Sequence, residues 1–122
     1  MKRFLVIEDT EDNRLILGDL LSNAGYELIE AVDGLEGVAA AEREKPDLIL
    51  MDIQLPGIDG YEATRRIRAI PALASVPIIA VTSYALSGDE AKTREAGCDG
   101  YIAKPYSPRQ LLATVRQFLP EA

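Results

Sequence analysis

Residues 47–60 read DLILMDIQLPGIDG, and this stretch decides the fold. It contains an uninterrupted apolar run, Leu48 to Met51, which ends in the acid Asp52 and lies between Pro46 and Pro56. A short apolar run bounded by turn residues is typical of a strand that is buried on both faces of a parallel sheet. We therefore expect the charge of Asp52 at the point where this strand leaves the core.

Three other apolar runs end in polar residues in the same way. Residues 4–7 precede Glu8 and Asp9, residues 76–81 precede Thr82 and Ser83, and residues 101–103 precede Lys104. In an open α/β sheet, ligands bind outside the carboxyl ends of the strands. We therefore expect the acids, the hydroxyl group and the lysine to converge at one edge of the sheet.

The segments between the first strands have the apolar spacing of amphipathic helices. The inner faces predicted for the first three helices are Leu17, Leu20, Leu21 and Ala24, then Leu35, Val38 and Ala39, and then Ala63, Ile67 and Ile70. Gly25 stops the first helix and Pro46 terminates the second. Residues 27–32 are less hydrophobic than the other strands, which favours a position near an edge of the sheet.

The last two helices are predicted to differ in how firmly they are held. Ser87 and Glu90 form a capping-box pattern for the fourth helix, which is polar and ends at Gly97, so we expect it to be weakly anchored. Its apolar positions are almost limited to Ala91 and Ala96. The fifth helix opens with the favourable sequence Ser107, Pro108 and Gln110. The residues predicted for its buried face are Leu111, Leu112, Val115, Phe118 and Leu119.

Five strands alternating with five helices predict a doubly wound α/β fold with a five-stranded parallel sheet. Residues 1–122 are most simply one domain, because a chain of this length is sufficient for one core and shows no linker or repeat. Apolar periodicity does not determine the order of the strands.

Composition excludes several classes of function. The chain has 13 basic and 20 acidic residues and a net charge of -7, which disfavours direct binding of nucleic acid. It has no stretch suited to a signal peptide or a membrane span, so we expect a cytoplasmic protein that does not insert into membranes. The absence of histidine excludes Ser-His-Asp triads and histidine-based zinc sites. The single cysteine, Cys98, cannot form an internal disulfide and is predicted to be structural.

Glu8, Asp9 and Asp52 would place three negative charges in one crevice. Such charges repel one another unless a cation lies between them, and Mg²⁺ suits a site of carboxylate oxygens. Each polar residue also has a simpler interpretation. Glu8 and Asp9 would favour the positive end of the first helix, Lys104 could form a surface ion pair, and Thr82 has ordinary strand propensity.

Taken together, these motifs resemble the receiver domain of two-component response regulators. The resemblance rests on Glu8-Asp9, residues 47–60, Thr82-Ser83 and Lys104-Pro105, and it covers Phe4 to Leu119. It implies a flavodoxin-like fold with strand order 2-1-3-4-5 and a cis peptide bond between Lys104 and Pro105. A member of the same family is a well-known example of this strand order, so the order is taken over from the resemblance.

The resemblance also implies a role for each acid. Asp52 would accept a phosphoryl group from a phosphohistidine on a sensor histidine kinase or a histidine phosphotransfer protein. Asp9, Asp52 and the backbone carbonyl of Gln54 would hold Mg²⁺, or Mn²⁺ in its place, and Glu8 would act through a bound water. Since the chain has no histidine, its phosphoryl donor must be another molecule.

The remaining implied roles concern the switch. Lys104 would pair with the phosphoryl oxygens, and the hydroxyl of Thr82 would move to meet them. Tyr101 would follow Thr82 inward, and the less favoured alternative is an edge-strand aromatic residue that only packs. The fourth helix, fifth strand and fifth helix would then control a downstream protein partner, with the protein as a monomer or a phosphorylation-dependent homodimer. Tyr84 and Tyr106 are expected to shape the rim of the site.

The extent of the chain favours a stand-alone receiver without an output domain. Two other classes of protein remain as alternatives. One is an aspartyl-phosphate phosphatase of the haloacid-dehalogenase type, but that family has an acid where this chain has Gln54. The other is a degenerate receiver that only binds proteins, but here the acids and the lysine are all present. The chain also has Thr10 where many receivers have asparagine.

Overall fold

The computed structural model describes residues 2–82 and 89–119. The predictions for Ser83, Tyr84 and Ser87 lie outside these residues. Within the described part of the chain, no helix is both long enough and apolar enough to cross a membrane.

Five parallel strands form one sheet in the order β2-β1-β3-β4-β5, as the resemblance implied. The strands are β1 (Arg3–Ile7), β2 (Glu27–Ala31), β3 (Leu48–Asp52), β4 (Ile78–Thr82) and β5 (Gly100–Ala103). The helices are α1 (Glu11–Asn23), α2 (Gly34–Glu44), α3 (Gly60–Arg68), α4 (Asp89–Ala96) and α5 (Pro108–Phe118), with a short 3₁₀ turn at Pro71–Leu73. The less hydrophobic strand β2 lies at an edge, again as predicted.

The core occupies both faces of the sheet, because successive side chains of a strand point to opposite faces. In β1, Leu5 and Ile7 pack in a cluster with residues of α2 and α3, whereas Phe4 and Val6 pack in a second cluster with residues of α1 and α5. Every residue of β3 is buried. The strand that carries Asp52 is therefore fixed from both sides.

The predicted inner face of α2 was wrong at two of its three residues, because only Val38 packs against the core. Leu35 is 59% exposed and Ala39 is also exposed, while Val38 is only partly buried. The residues of α2 that are buried are instead small ones, namely Gly34, Gly37, Ala40 and Ala41. Small side chains let the helix approach the sheet closely, and a Cβ atom at Gly37 would lie only 2.5 Å from Cδ1 of Ile7. A helix face made of glycine and alanine gives little hydrophobic periodicity, so the sequence does not mark it.

The other helices follow the sequence more closely. Leu17 and Leu21 are buried in α1, and Gly25 follows the helix with a φ of 94°. In α4, Ala96 is buried as predicted, but Ala91 is exposed and the second buried residue is Thr93. Thr93 fits there because its hydroxyl donates a hydrogen bond to the Glu90 carbonyl at 2.7 Å.

The start of α5 has the predicted capping box. The N–H of Gln110 donates to the Ser107 hydroxyl at 3.1 Å, and the N–H of Ser107 donates to the Gln110 side chain at 2.8 Å. Leu111 and Val115 are fully buried beneath this helix. This cap fixes where α5 begins, directly after the loop that carries Lys104.

Candidate functional site

The carboxyl ends of four neighbouring strands form the candidate site. In the register of the sheet, Asp52 of β3 pairs with Val81 of β4, and Thr82 of β4 pairs with Ala103 of β5. The N–H of Lys104 donates to the Thr82 carbonyl at 2.8 Å, which joins the ends of β4 and β5. The parallel register therefore brings together residues that are far apart in the sequence.

Three acids lie together at this edge. Glu8, Asp9 and Asp52 each offer a carboxylate oxygen within 4.8 Å of the other two. Glu8 and Asp52 are only 3% and 4% exposed, whereas Asp9 is exposed. This is a close set of oxygen ligands with one side open to solvent, and it fits the preference of Mg²⁺ for carboxylate oxygens together with retained waters.

Backbone N–H groups orient the two buried carboxylates. The N–H of Thr10 donates to Oε2 of Glu8 at 3.0 Å, and the N–H of Gln54 donates to Oδ1 of Asp52 at 3.0 Å. Thr10 stands at the N-cap of α1 without a side-chain capping bond, so its contribution here comes from its backbone. In both loops the peptide that follows the strand holds the acid in place.

Lys104 lies between the two buried acids. Its Nζ atom is 3.3 Å from Oε1 of Glu8 and 3.6 Å from Oδ2 of Asp52. The peptide bond from Lys104 to Pro105 is cis, as the resemblance implied. Since Oδ1 of Asp52 accepts the Gln54 N–H, Oδ2 is the oxygen that faces the ammonium group.

The environment changes the acidity of these groups in opposite directions. Burial, together with the negative charge of Glu8, raises the pKa of Asp52 from 3.8 to about 6, although the Gln54 N–H and Lys104 act against it. Burial also opposes ionisation of Glu8, but the Thr10 N–H and Lys104 outweigh it and lower the pKa of Glu8. Asp52 is therefore the acid whose charge is more costly to the fold.

The other predicted site residues lie on the same strands or next to them. Thr82 is fully buried at the end of β4, and Tyr101 lies in β5 opposite Ala80. Gln54 is partly buried in the loop after β3. Tyr101 lines two cavities beside β5, one of about 410 Å³ toward α5 and one of about 50 Å³ toward α4.

A cleft of about 510 Å³ opens next to the acids, and part of its wall was not predicted from the sequence. It is lined by Glu8, Asn13, Ile16, Lys104, Pro105 and Tyr106. Tyr106 does lie at the rim, as expected, and burial with the charges of Glu8 and Asp52 raises its pKa.

Arg14 was also missed. Its guanidinium donates to the Glu8 carbonyl at 2.8 Å and lies 3.6 Å from a carboxylate oxygen of Glu30. No sequence motif marks this contact, because it joins a helix to the preceding loop and to a neighbouring strand.

Cys98 lies outside the site and is buried, as expected for a structural cysteine. Its Sγ atom is 3.7 Å from the Thr64 hydroxyl, and burial raises the pKa of the thiol to about 11. The thiol is therefore protonated at neutral pH and unsuited to nucleophilic chemistry.

The sequence matches a known protein family over nearly its whole length. A family model described as the response regulator receiver domain matches residues 4–116. The chain belongs to the response regulator receiver family. It is thus a receiver of two-component signalling, and the predicted family, fold and general function are confirmed.

Individual relatives agree with this assignment. The receiver is 41% identical to the polar-differentiation response regulator DivK of Brucella anthropi, over 99% of this chain and 98% of DivK. Its structure is similar to the receiver domain of the sensor histidine kinase PA1611 of Pseudomonas aeruginosa, with a TM-score of 0.92, 38% identity and 98% of each chain covered. That structure is described as having a magnesium ion coordinated in the active-site cleft.

A chemotaxis regulator gives a further comparison. CheY4 of Vibrio cholerae has a TM-score of 0.92 and 28% identity, with 97% of this receiver and 98% of CheY4 covered.

Proposed function

We propose that Asp52 accepts a phosphoryl group from a phosphohistidine on a partner protein and that this event switches a protein-binding face of the receiver. One observation carries the proposal. Oxygens of Glu8, Asp9 and Asp52 lie within 4.8 Å of one another, and the Lys104 ammonium group is 3.6 Å from Oδ2 of Asp52. Phosphoryl transfer requires positioning and neutralisation of charge, and this arrangement offers both.

Mg²⁺ is the proposed cofactor, held by Asp9, Asp52 and the Gln54 carbonyl, with Glu8 acting through a water. When bound, it would neutralise charge on the acids and on the phosphoryl oxygens. The donor set consists of oxygens only, which suits Mg²⁺, and Mn²⁺ accepts similar ligands. The magnesium described for the related PA1611 receiver supports the same assignment.

The chemical step needs Asp52 as a carboxylate. Its Oδ2 atom attacks phosphorus, the P–N bond of the donor breaks, and the imidazole leaves with the electron pair of that bond. The Lys104 ammonium group lies beside both acids, and the flexible stem of the side chain lets it turn toward the new phosphoryl oxygens. Because an acyl phosphate hydrolyses readily, the receiver would also lose the group without a separate enzyme.

The donor is proposed to be a sensor histidine kinase or a histidine phosphotransfer protein. The receiver itself contains no histidine, so the donor imidazole has to come from another molecule. The cleft of about 510 Å³ beside Glu8 and Lys104 gives that imidazole a route to the strand ends. In this proposal the receiver is a phosphoacceptor that catalyses only its own phosphorylation and dephosphorylation.

The proposed output face consists of α4, β5 and α5. A phosphoryl group brings about two negative charges to the end of β3. The neighbouring groups that would respond are the Thr82 hydroxyl and the Lys104 ammonium, and the ends of their strands are joined by a backbone hydrogen bond. The cavities on either side of Tyr101 leave room for its side chain to move. The face would bind a downstream protein or a second copy of the receiver.

The first prediction tests the phosphoacceptor. Incubation with acetyl phosphate and Mg²⁺ is expected to add one phosphoryl group to the wild-type protein, and Asp52→Asn is expected to abolish this addition because an amide oxygen is a poor nucleophile. Mass spectrometry of the intact protein and of its peptides measures the result. Asp19→Asn, which changes an exposed aspartate of α1, is the matched control and should be modified like the wild type.

Two outcomes would contradict the proposal. One is modification of Asp52→Asn at the same peptide as in the wild type. The other is loss of modification in Asp19→Asn, which would mean that the change of charge alone is responsible. Steady turnover of a phosphomonoester would instead favour the phosphatase alternative.

A further inference from the structure

The loop of residues 53–59, here called the acid loop, joins β3 to α3 and follows Asp52 directly. Gly60, the first residue of α3, lies against the beginning of this loop. A Cβ atom at Gly60 would collide with the Asp52 carbonyl oxygen and would lie 2.6 Å from Cα of Ile53. Both neighbours are backbone atoms, so no change of rotamer could relieve the clash.

A second close contact holds the other half of the acid loop. Ile58 lies over Gly34, the first residue of α2. A Cβ atom at Gly34 would be 2.5 Å from Cγ1 of Ile58 and 2.9 Å from its carbonyl oxygen. The first residues of two helices therefore fix the acid loop from two directions.

Hydrogen bonds connect these contacts to the site. The Ile53 carbonyl accepts from the N–H of Gly60 at 2.9 Å and from the N–H of Leu55 at 3.1 Å. The same peptide unit, between Ile53 and Gln54, donates its N–H to the Asp52 carboxylate at 3.0 Å. Moving Gly60 away from Ile53 would therefore move the peptide that orients Asp52.

We propose that Gly60 and Ile58 are positioning residues of the receiver, which hold the acid loop so that Asp52 and the Gln54 carbonyl can bind Mg²⁺ together. This inference rests on the proposed function, because it concerns the metal site assigned there. Neither residue needs to contact the ion. Their effect comes through the backbone of the acid loop, and contacts of this kind typically change metal affinity by about 10- to 100-fold.

The test compares Mg²⁺ binding by the full chain in four forms, with isothermal titration calorimetry and with amide shifts in NMR spectra. Gly60→Ala is expected to weaken Mg²⁺ binding by about tenfold. Ile58→Ala, which removes the contact with Gly34 and adds no bulk, is expected to cause a smaller loss. No phosphorylation is needed for either measurement.

Gly100→Ala is the matched control. A Cβ atom at Gly100 would lie 2.8 Å from the Phe118 ring, so this variant is also overpacked, but at the opposite end of the sheet from the acids. It is expected to lose stability and to keep the Mg²⁺ affinity of the wild type. Circular dichroism and thermal unfolding report whether each variant is folded.

The outcomes distinguish a failure of the proposed metal site from a failure of the positioning role of Gly60 and Ile58. A wild-type protein that does not bind Mg²⁺ would overturn the proposed metal site itself. Wild-type binding with unchanged affinity in both Ile58→Ala and Gly60→Ala would overturn only the positioning inference, as would an equal loss in Gly100→Ala. If Gly60→Ala does not fold, Ile58→Ala decides the question alone.

Discussion

At the scale of single residues, the site depends on how two buried acids share one lysine. Glu8 and Asp52 are almost equally buried, yet only the pKa of Asp52 is raised overall. Each carboxylate accepts one backbone N–H and lies near Lys104, but the ammonium is closer to Glu8. Asp52 is consequently the less stabilised anion, which leaves it dependent on added positive charge.

The stability of the metal-free receiver should therefore depend on the charge of Asp52. Because its pKa is about 6 in the folded protein and 3.8 ordinarily, the folded state keeps the proton longer than the unfolded chain. The contribution of protonated Asp52 to the free energy of unfolding is therefore fully present below pH 4, and it is lost as the pH rises through 6. With EDTA present, Asp52→Asn should raise the free energy of unfolding at pH 8 by about 1–3 kcal/mol.

Urea denaturation at a series of pH values measures this effect. The gain from Asp52→Asn should shrink as the pH falls from 7 to 4, whereas the exposed Asp19→Asn should change stability little at any pH. A gain that is independent of pH would show that packing of the amide, and not the lost charge, stabilises the variant.

The positions of these residues could be predicted from the sequence, but the relative strength of their interactions with Lys104 could not. An acid or lysine directly after an apolar run has to lie at a strand end, so Asp52, Glu8 and Lys104 could be found from the printed sequence alone. Which acid pairs more closely with Lys104 depends on distances of a few tenths of an ångström. Such distances follow from tertiary packing, and no local pattern encodes them.

At the scale of secondary-structure elements, Arg68 joins the end of α3 to three neighbouring segments. Its guanidinium donates to the carbonyls of Val76 at 2.6 Å and Gly97 at 2.9 Å, and it forms an ion pair with Asp99 at 2.5 Å. The same Asp99 carboxylate accepts the N–H of Ile78 at 2.9 Å. This network fixes the end of α4 near the amino-terminal ends of the strands, at the end of the sheet opposite to the acids.

Loss of this network should destabilise the receiver. Arg68→Met keeps most of the aliphatic stem but removes the Arg68 donor from several carbonyls and leaves the Asp99 carboxylate with the Ile78 N–H. The Arg68 side chain is only 18% exposed. We expect the free energy of unfolding to fall by about 2–4 kcal/mol. Urea denaturation measures it, with Arg66→Met as the control, since Arg66 is 46% exposed and pairs only with Glu62 among the described contacts. Equal losses in the two variants would contradict this role.

The elements themselves were predicted with one clear error. The capping box at Ser107 and the stop at Gly25 are local signals, and both are present in the structure. The inner face of α2 consists of glycine and alanine, whose burial gives no hydrophobic periodicity, so Leu35 was wrongly placed inside. The contacts of Gly34 with Ile58 and of Arg68 with Gly97 join segments distant in sequence, and these too could not be found from local patterns.

At the scale of the whole molecule, the parallel sheet links the acids to the proposed output face. Order β1-β3-β4-β5 places the strands of Glu8, Asp52, Thr82 and Lys104 side by side. The sequence predicted the five strands, but the order came from the resemblance to a family, because buried strands carry no mark of their neighbours. A charge added at β3 can therefore act on β5 across β4, whose last residue is Thr82, or directly through Lys104.

This geometry makes Thr82→Ala a test of the switch that is separate from phosphorylation. The variant keeps the Thr82 carbonyl that accepts the Lys104 N–H, and it leaves the acids and the lysine in place. We expect addition of a phosphoryl group to Asp52 to continue, since no proposed metal ligand is changed. The response of β5 and α5 should be reduced, because the hydroxyl that would follow the phosphoryl oxygens is absent.

Amide shifts or hydrogen exchange of residues 100–118, measured with and without beryllofluoride and Mg²⁺, report that response. Thr64→Ala removes another fully buried hydroxyl, which lies on α3 next to Cys98 and away from the carboxyl ends of the strands, and should respond like the wild type. A full response in Thr82→Ala would mean that the signal crosses from β3 to β5 without this hydroxyl, with Lys104 as the remaining direct link to the acids. A lost response in both variants would point instead to the general cost of removing a buried hydroxyl.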